Sequence, residues 1–433
     1  MDRLFQAVER RREELVALCR DLVRIPTVNP PGAHYRECAE LLGTRLRRAG
    51  FEILLLRAEG TPGDSDRWPR INLLARREGA RPGRCVHFNG HLDVVPAGEG
   101  WSVDPWAGEI REGRLYGRGS CDMKGGIAAA VIAVEALLET WPDFPGAIEI
   151  SGTADEESGG FGGVAWLARR GFFSPPRVDH VIIPEPLDVD RVCIGHRGLW
   201  WAEVETGGRI AHGSMPFLGD CAIRHMSAFV ERLEKELLPL LAARRTVMPV
   251  VPEEARASTL NLIAVHGGQP EDHEGLPSSC VADGCRLVID RRYLIEEDPA
   301  EVEGEIRAIL DRLAAERPGF SYRLRELQAV APVLADRDQP VPRAVASALR
   351  EVLGREPAFV CSPGTYDQKH ISRIGGLEDC VAYGPGILDL AHQPDEFVLV
   401  EDMVTAAKVM GLAAMRLLGG PSGGARPAAE VRG

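Results

Sequence analysis

The first residues that could do chemistry are a histidine and a carboxylate at the end of an apolar run. Residues 85–93 read CVHFNGHLD, so that His91 stands two residues before Asp93. This pattern suits a metal site, because an imidazole can bind zinc while a carboxylate holds its other ring N–H and fixes the tautomer. Taken alone, the same pair is more often part of an ordinary polar loop.

A glycine-rich segment with one carboxylate comes next. Residues 117–126 read GRGSCDMKGG and lead into an alanine-rich run, which makes Asp122 a candidate N-cap of a helix. A phosphate-binding loop is a further interpretation, but the residue order fits neither the Walker pattern nor a GxGxxG turn after a strand. Taken alone, the segment favours the helix cap.

Consecutive acids follow the apolar run AIEISG. They are Asp155, Glu156 and Glu157, in the sequence TADEESGG. Such carboxylates repel one another unless a cation lies among them or water reaches all of them. A run of this kind is most often part of a solvated loop. At a metal site, adjacent carboxylates can divide the work: one binds the metal while its neighbour takes a proton from water.

Two isolated residues complete the set of candidates. Glu185 lies between Pro184 and Pro186 after the apolar run VII, so the chain holds it stiffly. His392 lies near the C-terminus in the segment LAHQPDE. A lone histidine is more often a hydrogen-bonding residue than a ligand, so neither residue identifies a site by itself.

The elements that must position these residues follow from the spacing of apolar side chains. The predicted elements before residue 199 are helices over 4–23, 35–48 and 123–138, and strands over 71–75, 85–88, 147–152 and 181–183. Strands that alternate with helices indicate an α/β sheet, which places its ligands at the carboxyl ends of its strands. Candidate segments follow several of these strands directly.

The order of elements changes after residue 199. Strands and two helices, over 222–241 and 300–315, then indicate a small α+β domain before the α/β pattern returns. We therefore predict a catalytic domain over 1–199 and 329–420 with an inserted domain over 200–328. The glycine- and proline-rich residues 421–433 are predicted to be a disordered tail.

Composition excludes several classes of protein. The net charge of −13 argues against non-specific nucleic-acid binding, because a phosphate backbone needs a basic face. No apolar run approaches the roughly 20 residues of a membrane span, and the charged N-terminus argues against a secretory signal. The ten cysteines are dispersed without a CxxC pair, which is typical of reduced thiols. We expect a cytoplasmic enzyme with no nucleic-acid or membrane partner.

Each motif is ambiguous alone, but their order resembles the peptidase M20 family, the co-catalytic zinc hydrolases that include acetylornithine deacetylase and succinyl-diaminopimelate desuccinylase. The matching segments are GHLDVVPAG, GRGSCDMKGG, TADEESGG, PEP and GPGILDLAHQPDE. The resemblance implies an α/β zinc-hydrolase (phosphorylase/hydrolase-like) catalytic domain with an inserted α+β lid and dimerisation domain. It also implies a homodimer.

The resemblance implies two zinc ions, with cobalt or manganese as substitutes. His91 and Glu185 would hold one ion, Glu157 and His392 would hold the other, and Asp122 would bridge the two. Nitrogen and oxygen ligands agree with the chemistry of zinc.

Further roles are implied by the same resemblance. Asp93 would orient His91, and Glu156 would be the general base. His212, in the segment AHGS, matches the histidine that family members supply from the partner subunit to the developing oxyanion; the alternative is an ordinary loop histidine. The family also suggests a cis peptide bond after Asp122.

Candidate substrate contacts come from three other segments. Arg292 in DRR and Thr365 in GTYD match segments that bind the substrate carboxylate in desuccinylase-like members. A surface ion pair and a turn residue are the alternatives. His196, in HRG, stands where desuccinylases have the first arginine of Arg-Arg-Gly, so the resemblance does not extend to the succinyl-carboxylate contact.

The predicted function is metal-dependent cleavage of the amide bond of a small N-acylated amine or amino acid. The alternatives are an N-formyl or N-carbamoyl amidohydrolase, and a dipeptidase or carboxypeptidase of the same family. A protein of a different class, a catalytically silent relative that binds a ligand through the same cleft, would lack Glu156 or a ligand. Every such position is filled here, which favours an enzyme.

Overall fold

Two compact units divide the chain in the computed structural model, which describes residues 1–270 and 272–420. The first unit comprises Met1–Ile194, Ala335–Phe359 and Tyr366–Gly433, and the second comprises Gly195–Leu334 and Val360–Thr365. The second unit thus includes a short segment after residue 359 in addition to the insertion. The tail predicted to be disordered, over 421–433, lies outside the described residues.

Helices lie where the sequence predicts them, and further helices occur between and after these. In chain order the helices are α1 Asp2–Arg10, α2 Arg12–Val23, α3 Tyr35–Arg48, α4 Gly125–Thr140, α5 Val164–Ala168, α6 Ala222–Arg232, α7 Leu238–Ala243, α8 Pro299–Glu316, α9 Pro340–Leu353, α10 Gln368–Arg373 and α11 Val400–Leu417. The single helix predicted over 4–23 is two helices, which meet at Arg11. Over the described part of the chain, no helix has both the length and the apolarity to span a bilayer.

Within residues 1–270 and 272–420, the strands form one large and two smaller sheets. They are β1 Glu52–Arg57, β2 Ile71–Glu78, β3 Arg81–His91, β4 Ile110–Arg111, β5 Arg114–Tyr116, β6 Pro145–Thr153, β7 His180–Pro186, β8 Arg191–His196, β9 Gly198–Gly207, β10 Thr259–Gly267, β11 Gly284–Tyr293, β12 Ser321–Val330, β13 Val333–Leu334, β14 Ala358–Ser362, β15 Cys380–Gly384 and β16 Phe397–Leu399.

The main sheet of the first unit has the strand order β1-β2-β6-β3-β7-β15-β8. Strand β3 lies parallel to β6 and β7, and β15 lies parallel to β7. Every residue of β6 and β7 is buried, which is typical of parallel strands covered on both faces. Helix α4 is buried along most of its length and packs against α11. This arrangement confirms the predicted α/β class.

The second unit is an antiparallel sheet with helices packed on it. Its strand order is β10-β11-β9-β12. Strand β11 alternates between buried and more exposed residues, which is the pattern of a strand with one covered face. Residues of α6 and α8, among them Phe229 and Leu310, form the apolar core with that face. The unit therefore has the α+β architecture predicted for the insertion.

Candidate metal centre

Neighbouring strands of the first unit bring the candidate ligands to one edge of the sheet. Strand β3 ends at His91, and β6 ends at Thr153, just before the acidic segment. Strand β7 carries Glu185 as its penultimate residue, and β15 leads into the loop of His392. These strands are adjacent and parallel, in the order β6-β3-β7-β15. Parallel strands place their carboxyl ends at the same edge, where α/β sheets bind ligands.

The predicted ligands converge around the carboxylate of Asp122. His91 Nε2 lies 3.1 Å from Asp122 Oδ1 and 3.9 Å from Glu185 Oε1. His392 Nε2 lies 3.1 Å from Glu157 Oε2 and 3.5 Å from Asp122 Oδ2. Each oxygen of Asp122 therefore faces a different histidine. This is the arrangement expected of a carboxylate that bridges two metal ions.

The buried carboxylates of this cluster fit a bound cation. Glu157 Oε1 is buried and has no hydrogen-bond partner among the described residues. Burial raises the pKa of Glu157 to about 7, and burial together with Asp122 raises the pKa of Glu185 well above its ordinary value. A divalent cation reverses this penalty, because it favours the charged form of each carboxylate. The donor set of nitrogen and oxygen atoms suits zinc.

The two histidines of the cluster lie directly against carboxylates. Hydrogen bonds with Asp122 and Glu157 raise the pKa of His392 to about 10. Burial alone would lower the pKa of His91, but Asp122 and Glu185 outweigh it and raise that pKa well above its ordinary value. Each imidazole thus lies where positive charge is favoured. A metal ion supplies that charge while the imidazole binds it in the neutral form.

Asp93 contacts the site through both its backbone and its side chain. His91 Nδ1 lies 3.0 Å from the carbonyl oxygen of Asp93 but 3.7 Å from its carboxylate. Because a carbonyl can only accept, Nδ1 carries the proton and Nε2 is left for a metal. The carboxylate instead accepts the backbone N–H groups of Glu156 at 3.2 Å and Glu157 at 3.1 Å. The His91 ring therefore contacts the carbonyl of Asp93, while the carboxylate of Asp93 holds the backbone of the acidic turn.

Asp155 has a structural place in the same turn, which the sequence did not indicate. Its backbone is left-handed, with φ of 62°, a conformation that aspartate tolerates better than most residues. Its side chain accepts hydrogen bonds from the hydroxyl of Tyr35 at 3.0 Å and from Nε of Arg70 at 3.1 Å. These buried contacts hold the turn from which Glu156 and Glu157 project.

A buried ion pair supports the backbone of Asp122. Glu396 Oε1 accepts the backbone N–H groups of Cys121 at 2.9 Å and Asp122 at 3.1 Å. Its Oε2 accepts a hydrogen bond from Arg118, and both side chains are almost fully buried. The peptide bond between Asp122 and Met123 is cis. Glu396 was not among the predicted site residues, although it lies in the segment that carries His392.

Glu156 is paired with a lysine that the sequence did not indicate either. Lys369 Nζ donates a hydrogen bond to Glu156 Oε1 at 2.6 Å. Lys369 lies in α10, and its side chain is 2% exposed. A buried ammonium group therefore contacts one oxygen of the predicted general base.

The two remaining candidate histidines belong to the second unit. His212 is exposed, and its Nδ1 lies 2.7 Å from the hydroxyl of Ser214. His196 is buried, and its Nδ1 lies 2.8 Å from the carbonyl oxygen of Arg197. His212 therefore lies at the surface of the second unit.

The candidate carboxylate-binding residues also lie in the second unit. Arg292 donates to both carboxylate oxygens of Asp290, at 2.8 and 3.0 Å. Thr365 is partly buried at the end of the segment Val360–Thr365. The ion pair of Arg292 is the alternative named from the sequence, and a substrate carboxylate would have to compete with Asp290.

Comparisons with known proteins identify the family of the chain. Residues 87–416 match Peptidase family M20/M25/M40. The chain is 33% identical over 390 residues to a succinyl-diaminopimelate desuccinylase of Stenotrophomonas maltophilia, covering 88% of this chain and 93% of that relative. Human carnosine dipeptidase 1 superimposes with a TM-score of 0.79 at 21% identity, covering 96% and 98% of the two chains. The Bacillus subtilis YXEP protein, described as a dinuclear metal binding peptidase from the M20 family, has a TM-score of 0.65 at 15% identity, covering 94% and 99%.

The fold and the site together define a metal-dependent hydrolase. The chain belongs to peptidase family M20. It is an enzyme that cleaves amide C–N bonds, and the resemblance drawn from the ordered motifs is confirmed.

Proposed function

We propose that this hydrolase is a two-metal deacylase, which removes the acyl group from a small N-acylated amine or amino acid. The observation that supports two metals is Asp122, whose oxygens face His91 and His392 separately. His91 and Glu185 would hold one ion, and Glu157 and His392 would hold the other. Zinc is the proposed metal because it favours imidazole and carboxylate ligands, with cobalt or manganese as substitutes.

Glu156 is the proposed general base. When bound, the two ions would lower the pKa of water and polarise the substrate carbonyl. Glu156 takes a proton from water while the water oxygen attacks the amide carbon. Glu156 then gives this proton to the amine nitrogen as the C–N bond breaks. The carboxylate of Asp93 supports this role, because it accepts the backbone N–H of Glu156.

The substrate is proposed to carry a carboxylate on its amine portion. Arg292 and Thr365 are the residues proposed to bind it, since an arginine can capture a carboxylate through two hydrogen bonds. The curated relatives named desuccinylase support an acylated amino acid. His196 is a further proposed contact of the substrate. Its imidazole cannot bind a carboxylate through two parallel hydrogen bonds, as an arginine can. We therefore expect acetyl, formyl or carbamoyl groups to be removed faster than succinyl groups.

A substrate screen tests this function. Enzyme loaded with zinc, cobalt or manganese is supplied with N-acetyl, N-formyl, N-carbamoyl and N-succinyl amino acids and with unblocked dipeptides, and release of free amine is measured. We expect turnover of N-acylated substrates that stops after chelation and returns with added metal. Faster turnover of dipeptides with a free α-amine would instead assign a dipeptidase.

We also infer that the enzyme is a cytoplasmic homodimer in which His212 stabilises the oxyanion in the partner's site. The reduced-type cysteine pattern supports the compartment. Strand β10 supports the dimer: it lies at the edge of its sheet and exposes Ile263 at 46% and Val265 at 68%. An exposed apolar edge strand is a surface that proteins usually cover.

Complementation between inactive variants tests the dimer. Glu156→Gln and His212→Ala proteins are each expected to be nearly inactive. Mixed dimers contain one site with both an intact Glu156 and an intact His212 from the other subunit, so subunit exchange should restore turnover. The measurement is activity before and after exchange, with the dimer mass followed by sedimentation. An active monomer, or no recovery in dimers proven to be mixed, would contradict the inference.

A further inference from the structure

Lys369 is a buried charge beside the reaction centre for which the proposed mechanism has no use. Its side chain is 2% exposed, and its Nζ lies 2.6 Å from Glu156 Oε1. A buried ammonium group is stable only when carboxylates or other acceptors compensate for its lost hydration. Lys369 is therefore held beside the Glu156 carboxylate more firmly than a surface lysine is held by its ion-pair partner.

The charge of Lys369 is maintained by its surroundings. Burial disfavours the ammonium form, but Glu156 and Asp367 outweigh that effect and keep the pKa of Lys369 above its ordinary value. Glu185 acts in the same direction. Lys369 thus presents a permanent donor to Glu156.

The position of Lys369 is fixed by a chain of buried polar groups. Asp367, at the start of α10, accepts a hydrogen bond from Asn89 Nδ2 at 2.9 Å. The hydroxyl of Ser151 lies 2.7 Å from Asn89 Oδ1 and 2.7 Å from His87 Nε2. His87 Nδ1 in turn lies 3.0 Å from Glu149 Oε2. The start of α10 is thereby tied to the interior of strands β3 and β6.

Glu156 is consequently held through both its backbone and its side chain. Its backbone N–H donates to Asp93 Oδ1, and its Oε1 accepts from Lys369. A carboxylate held in this way keeps one orientation, so its second oxygen is directed consistently. A general base must lie within hydrogen-bond reach of the proton that it takes, and small displacements reduce its efficiency.

We propose that Lys369 is a positioning residue for catalysis: by holding Oε1 of Glu156, it directs Oε2 toward the attacking water. The inference rests on the proposed function, because it needs Glu156 to be the general base. Lys369 touches neither substrate nor proton in this proposal and acts through Glu156 alone.

The test compares variants of the full-length, metal-loaded enzyme. Lys369→Met removes the donor at similar length, and we expect kcat to fall about 100-fold with KM and metal content unchanged, as for a misplaced catalytic group. Lys369→Arg keeps a charged donor and should recover part of the loss. Lys408→Met is the matched control, because Lys408 makes a Glu9 contact of the same 2.6 Å length on another helix; its kcat should not change.

A double variant separates positioning from a general structural role. If Lys369 acts only through Glu156, then Glu156→Gln with Lys369→Met is no slower than Glu156→Gln alone. An additive loss, a loss of bound metal or a rise in KM would overturn the proposal, as would a wild-type kcat in Lys369→Met. Lys369→Leu, which also lacks a donor, provides the same comparison if the methionine variant does not fold. Full activity in Glu156→Gln would instead overturn the proposed function itself.

Discussion

Glu156→Gln is expected to lower kcat by about 100- to 10,000-fold, the range that general acid–base catalysis contributes. Glutamine keeps the size of the side chain and can still accept the hydrogen bond from Lys369. It cannot take a proton from water. Because Glu156 is not a proposed ligand, the variant should retain both metal ions and bind substrate with an unchanged KM. Steady-state kinetics and metal analysis of the same preparation measure these quantities.

The neighbouring variant Glu157→Gln is the matched control. It makes the same chemical change one residue away, at a carboxylate whose Oε2 lies 3.1 Å from His392. We expect it to lose metal affinity, and its activity should return in part at high metal concentration. Glu156→Gln activity should not respond to added metal. If the two variants behaved alike, the division of labour between these adjacent acids would be wrong.

The fold could be predicted because its elements have strong local patterns. Strands β6 and β7 are short apolar runs, and α4 is a long alanine-rich run, so local sequence alone indicates the type of each element. The break at Arg11 could not be predicted, because Leu4, Val8 and Leu15 keep the spacing of one continuous helix. Arg10 and Arg11 both pair with Glu139, a distant residue of α4. Apolar spacing carries no information about such tertiary contacts.

The proposed metal ligands could be located from the sequence, because each lies in a motif tied to an element of the sheet or to α4. The residues that contact these ligands and the proposed general base could not. Glu396 contacts the backbone of Asp122 across 274 positions of sequence, and Lys369 contacts Glu156 across 213. In the sequence Asp155 is only one of several adjacent acids, and its partner Arg70 lies 85 positions away. Such pairs form only when the sheet brings their strands and loops together.

Asp93 illustrates the difference between locating a residue and assigning its contacts. The spacing His-x-Asp indicates that Asp93 lies near His91, but it does not indicate which atoms make contact. In the folded chain the carbonyl lies nearer to the ring than the carboxylate does, at 3.0 against 3.7 Å. Substrate contacts of Arg292, Thr365 and His196 stay predictions for the same reason, since a motif does not define the ligand.

Asp122→Asn is expected to weaken binding of both metal ions and to abolish turnover at ordinary metal concentrations. Removing a residue that merely supports a ligand costs about 10- to 100-fold in metal affinity, and a bridging carboxylate should cost more because both ions lose a charged donor. His91 and His392 each lose their contact with a charged oxygen of Asp122. Titration of metal-free protein against a competing chelator measures the affinity of each site.

Asp389→Asn provides the control for Asp122→Asn. Asp389 is exposed and lies three positions before His392, so its loss changes the net charge by the same amount near the site without removing a ligand. Its metal affinity should match that of the wild type, because exposed charges are screened by solvent. Loss of only one ion in Asp122→Asn, with the second bound at wild-type affinity, would assign Asp122 to a single metal. The separate contacts of its two oxygens lead us to expect that both are lost.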